Sequence, residues 1–134
     1  MDLKILLWAG AGLQLVMAGA NFVIPGRLDF RGNLSRVSPI IRQVFRVHHA
    51  YIVWIIVFFA SLCFLFPAEL AGASPLGRFL CGFIALFWLA RVPIQLFYYD
   101  PELRRRNRLE DVLVTLLLAS LAGIFGLVFL RGRP

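Results

Sequence analysis

Phe87-Trp88-Leu89-Ala90-Arg91-Val92-Pro93-Ile94-Gln95-Leu96-Phe97-Tyr98-Tyr99-Asp100 is a hydrophobic run with one arginine inside it. Arg91 has no charged neighbour within eight residues on either side. Gln95 lies one helical turn further on, and Tyr98 and Tyr99 about one turn after that. Arg91, Gln95 and one of the tyrosines therefore share a helix face. A charge inside hydrocarbon is costly and normally faces protein or water. This face predicts one wall of a polar pocket, or of a network that locks neighbouring helices together. Pro93 cannot donate to the Leu89 carbonyl, so the same segment predicts a kink, with that carbonyl a ready acceptor for Arg91.

The rest of the chain supports a membrane reading of this run. It has 134 residues, is 60% hydrophobic and has a mean hydropathy of +0.82. Soluble domains are about 45–50% apolar. Four apolar runs are long enough to span a bilayer, at about residues 3–24, 48–66, 79–99 and 112–130. The expected architecture is all-α: a four-helix integral membrane bundle forming one domain over 1–134, with helices 2 and 4 extended into the cytoplasm.

The first run closes at Pro25-Gly26. Ala18-Gly19-Ala20 has the small residues of a signal-peptide cleavage site. Asp2 and Lys4 leave the start without net positive charge, however, and Gly10 and Gly12 interrupt the apolar stretch, so the run reads as a retained helix. Gln14 and Asn21 share a face, and Gly12 and Gly19 would admit a close neighbour. Ser38-Pro39 reads as a helix start. Helix continues to Phe66, with Arg42, Arg46 and His49 forming a basic stripe at the front. Pro67 to Arg78 reads as a turn. Asp100-Pro101-Glu102 starts another helix, with Glu102–Arg106 and Arg106–Glu110 spaced to pair. Ala119–Gly123 and Ala122–Gly126 are spaced for helix contact.

The net charge is +7, but the arginines flank apolar runs, so membrane lipids explain them and nucleic acid is not expected as a partner. Nine of the Lys and Arg residues outside the spans fall in the loops after spans 1 and 3, and four fall on the other side. The positive-inside rule then places both termini outside, in what reads as a bacterial inner membrane.

With that topology, polar residues gather at one depth. The candidate ligand-binding pocket is Arg91, Gln95, Tyr98, His49, Asn21 and Asp111, with Arg42 and Arg46 as headgroup contacts. Arg91 lies about eight residues, roughly 12 Å, from its helix end. That is beyond comfortable snorkelling, so Asp111, Glu110, Gln95, Asn21 or the Leu89 carbonyl is expected to meet it. His48 and His49 point about 100° apart, so one at most faces the core. A haem held by two histidines from separate helices has no third histidine to use. No metal or cofactor is expected. Cys63 and Cys81 fit no metal spacing and read as apolar fillers, with a disulfide as the alternative. No catalytic set stands out.

The size, the four spans, the arginines leading into span 2 and Ala90-Arg91 followed by tyrosine resemble, in outline, the membrane-associated eicosanoid and glutathione metabolism proteins. The second helix of that family carries Arg-Ala-x-x-Asn-x-x-Glu. The corresponding run here is Arg46-Val47-His48-His49-Ala50-Tyr51-Ile52-Val53. Arg46 falls at the arginine of that pattern, while its asparagine and glutamate are absent.

Three functions fit these residues. The first is a non-catalytic subunit or assembly partner of a membrane complex, meeting other membrane subunits or its own copies. The second is a binder of a lipophilic molecule with a polar or anionic head. The third is an enzyme on such a molecule, with His49 or Tyr98 as acid or base.

Overall fold

In the computed structural model, which describes residues 2–72 and 74–132, the chain is all-helical among the described residues. Four long helices dominate: α1 (Leu3–Arg27), α3 (Pro39–Leu65), α5 (Pro75–Pro93) and α7 (Arg108–Arg131). Each is long and apolar enough to cross a membrane, α5 together with the turn that continues it to Tyr98. Three short helices join them: α2 (Phe30–Ser35), α4 (Pro67–Ala71) and α6 (Pro101–Arg106). Arg133 of the basic tail lies outside the described residues.

The long helices alternate in direction. α1 packs against α3 on one side and α7 on the other, and α7 packs along α5. Small residues decide where backbones come close. A Cβ at Gly10 would sit 3.2 Å from the Phe125 ring, and one at Gly82 would sit 3.0 Å from Phe129. Gly12 and Gly19, expected to take this role, face open space, as do Gly123 and Gly126. Helical spacing shows which small residues share a face, but not which face is covered.

The core is Leu7 and Ala11 of α1, Ile56 and Ala60 of α3, Ile84 and Trp88 of α5, and Leu118, Leu121 and Phe125 of α7, all buried. α3 and α5 meet through rings: Phe59 stands edge-on to Phe83 and, at 5.3 Å, to Phe87. Cys63 and Cys81 are both buried and unpaired. The filler reading therefore describes them as they stand, rather than the disulfide.

The ends of the helices depart from the sequence reading in four places. α1 runs through Pro25 to Arg27 instead of closing at Pro25. The Pro67–Arg78 turn contains α4, whose Leu70 is buried. Pro93 produces a wide π-helical turn, Ile94–Tyr98, rather than a simple kink. The fourth helix is not one extended rod, because Asn107 (φ −115°, ψ 44°) breaks it into α6 and α7. At the turn after α1, Asp29 adopts a left-handed backbone (φ 48°) and its carboxylate accepts the Gly32 N–H at 3.2 Å. That conformation is tolerated because the short side chain bonds locally.

Candidate functional site

α1, α3, α5 and α7 separate at the end of the bundle that carries α2 and α6, leaving a cavity of about 520 Å³. It draws Asn21 from α1, His48 and His49 from α3, Arg91 from α5, Gln95 and Tyr99 from the chain just after it, and Asp111 from α7. Five of the six residues singled out by the sequence thus line one space. Tyr98 does not: the residue is 81% exposed and Tyr99 takes the cavity position. The π-helical turn explains the exchange. A π-helix bonds i to i+5 and so holds more residues per turn, which moves the one-turn neighbour of Gln95 from Tyr98 to Tyr99.

Arg104 organises one side of the cavity. Its Nε and Nη2 donate to the two carboxylate oxygens of Asp111, each at 2.9 Å. Its Nη1 donates to the Leu96 carbonyl. Gln95 Nε2 adds a third donor to Asp111 at 2.8 Å. The helix breaks at Asn107, and across that break Arg104, seven residues upstream, reaches this carboxylate. The fork geometry suits a planar guanidinium. The carboxylate it grips pushes the Arg104 pKa further up, so this arginine stays charged. Helical spacing within an unbroken helix gave no sign of this clamp.

His49 organises the opposite side. Pro25 has no N–H, so the Asn21 carbonyl, four residues back, lacks its helical donor. His49 Nε2 lies 3.1 Å from that oxygen. A carbonyl only accepts, so His49 carries its proton on Nε2. Its ring stacks on Phe45, which in turn meets Phe30 of α2 edge-on at 5.5 Å. The Asn21 side chain turns back onto its own helix, donating to the Met17 carbonyl at 2.8 Å. His48 is exposed, with Nδ1 donating to Val44 of its own helix at 2.9 Å.

At the rim, Arg27 from the end of α1 pairs with Glu110 in the first turn of α7. Each charge is suited to its helix terminus. This pairing replaces the expected Arg106–Glu110 contact, while Glu102–Arg106 forms at 3.5 Å. Arg42, expected at headgroups, donates to the carbonyls of Leu34, Ser35 and Val37, closing the end of α2. Arg46 is exposed on α3 and does not line the cavity.

Arg91 is the exception among these charges. It lines the cavity, and among the described residues it has neither a salt-bridge nor a hydrogen-bond partner. Of the expected partners, Asp111 is committed to Arg104, Glu110 to Arg27, Gln95 to Asp111 and the Asn21 amide to Met17, and Arg91 does not donate to the Leu89 carbonyl. Three arginines (Arg27, Arg91, Arg104) and two carboxylates (Glu110, Asp111) line the space. Two pairs cancel, and the guanidinium of Arg91 is the charge left over. No group of three or more metal-ligating side chains occurs among the described residues. Comparison with protein families, with characterised proteins and with solved structures finds no match to this chain.

Proposed function

We propose that this is a multi-pass membrane protein that binds an amphiphile with an anionic head in the cavity around Arg91. One observation carries the reading: a guanidinium left without a protein partner in a space of about 520 Å³. Sites for small molecules run roughly 300–1,000 Å³. A locking arginine would be expected in the arrangement that Arg104 has, gripped by a carboxylate and a carbonyl. The lining supports an amphiphile rather than a small polar solute. Met17, Ile24, Ile52 and Val114 supply apolar wall between the polar groups. By the positive-inside rule the cavity faces the cytoplasmic leaflet. Binding rather than catalysis is proposed, because Asp111, Gln95, Glu110 and His49 already have protein partners.

The test is native mass spectrometry of gently solubilised protein, comparing wild type with Arg91→Gln. Wild type should carry an anionic amphiphile that the variant loses while remaining folded. Equal retention by both proteins removes the proposal.

One observation favours assembly with other spans as a second reading. Ala119 and Gly123 of α7 are exposed, and nothing lies within 4 Å of a Cβ at Gly123. Small residues on an open face let another helix approach closely.

A further inference from the structure

The walls of the cavity are unequal. Inside the rim, where Arg27 is exposed, lining residues on α1 and α7 are sheltered: Met17 is buried, and Asn21, Asp111 and Val114 are half-buried. On the other two helices Phe45, His48 and Ile52 of α3 and Arg91 of α5 are exposed, with His49 half-buried between them. The seam between α3 and α5 is closed by the Phe59–Phe83 and Phe59–Phe87 ring contacts. Phe87 is one helical turn short of Arg91. Beyond Phe87 no further ring contact joins α3 to α5 among the described residues, and Ile52 and Arg91, one on each helix, are exposed. The cavity therefore has a side mouth, in the stretch where both helices belong to apolar spans.

Resting on the binding role proposed above, we infer that the ligand is a membrane lipid whose head bears a single net negative charge and which enters sideways between α3 and α5. The side mouth opens at the depth of apolar helix surface, so a molecule already in the bilayer reaches Arg91 without crossing water. The charge count sets the head. Arg91 alone is uncompensated, since Arg27 and Arg104 are matched by Glu110 and Asp111. A monoanion neutralises it. A dianion would bring a surplus negative charge beside those two carboxylates, and a zwitterion would bring a cation toward Arg91. A polar head seated at Arg91 leaves its chains running out past Ile52, over the exposed apolar face of α3.

The experiment is competition in native mass spectrometry with four probes: phosphatidylglycerol, phosphatidic acid, phosphatidylcholine, and water-soluble glycerophosphoglycerol, which has the same head without chains. Wild type should retain phosphatidylglycerol at least about tenfold over phosphatidylcholine and above phosphatidic acid, with no displacement by the soluble head. Arg91→Gln should abolish the preference. Ile52→Trp, which narrows the mouth, should slow phosphatidylglycerol exchange, and circular dichroism should show it folded. If phosphatidic acid wins, or the soluble head displaces the lipid, the inference is overturned while a binding cavity survives. If no probe distinguishes wild type from Arg91→Gln, the binding role falls with it.

Discussion

His49 donates its Nε2 proton to the backbone carbonyl of Asn21, 3.1 Å away, and that carbonyl is the one Pro25 leaves without a helical donor. A proline inside α1 and a histidine on α3 thus form one unit. The proline opens a backbone acceptor, and the imidazole fills it, tying the two helices together at the cavity. This explains why α1 continues past Pro25 to Arg27. The usual cost of an interior proline is partly the lost hydrogen bond, and here a side chain from another helix supplies it.

This unit predicts a coupled pair of substitutions. His49→Phe keeps the stacking on Phe45 but leaves the carbonyl unpaired, at a cost of about 1–3 kcal/mol. Pro25→Ala restores the missing N–H, so the same His49→Phe change should cost distinctly less in that background. Thermal unfolding of the four proteins in one detergent measures the coupling. Equal penalties in the two backgrounds would mean that the histidine does not serve this carbonyl.

Arg91 predicts the opposite behaviour. A side chain without a protein partner contributes little to folding, so Arg91→Gln should change stability by no more than about 0.5 kcal/mol. In lipid-free detergent its apparent melting temperature should match that of wild type. Added anionic lipid should raise the melting temperature of wild type only, because a ligand that binds the folded state stabilises it by mass action. A large fall in lipid-free detergent would mark Arg91 as part of the scaffold.

Sequence reasoning reads depth and helix face well, because both follow from a fixed rise and a fixed period. Counting residues from the ends of apolar runs brings Arg91, Gln95, His49, Asn21 and Asp111 to one level, and they line one cavity. Partners are not legible in this way. Depth alone assigns Asp111 to Arg91, but the break at Asn107 carries Arg104 to it first. The reading also fails wherever the helical period changes. The π-helical turn at Ile94–Tyr98 exchanges Tyr98 for Tyr99. Pro25 marks a helix end only while the donor from a distant helix is invisible. Pro93 does signal an irregular turn, but not its width.

The Arg104–Asp111 clamp predicts that breaking half of it is worse than removing all of it. Arg104→Leu leaves the Asp111 carboxylate with Gln95 alone and frees the Leu96 carbonyl. Arg104→Leu combined with Asp111→Leu removes the stranded charge, so the double variant should melt above the single Arg104 variant. Arg104→Lys should fall between wild type and Arg104→Leu, because one ammonium cannot reproduce the two-pronged grip and the carbonyl contact together. Melting curves of the four proteins decide this, and a double variant weaker than Arg104→Leu would contradict it.

Gln14 is fully buried in the middle of the bundle. Its Nε2 makes a long contact to Cys63 Sγ at 3.8 Å, and its Oε1 has no partner. Sulfur is a weak acceptor, and an unpaired buried carbonyl oxygen costs roughly 1–3 kcal/mol. Gln14→Met has similar length and volume and carries no such oxygen, so it should stabilise the protein by about 1 kcal/mol, raising the melting temperature by a few degrees. Cys63→Ala should act in the other direction, since it opens a small cavity and strips Gln14 of its one contact. If the two changes are combined, part of the Cys63→Ala loss should vanish, because there is no longer an amide to strand. The outcome that would sink this reading is a Gln14→Met protein that melts below wild type, since the amide would then be holding something stronger than a thiol.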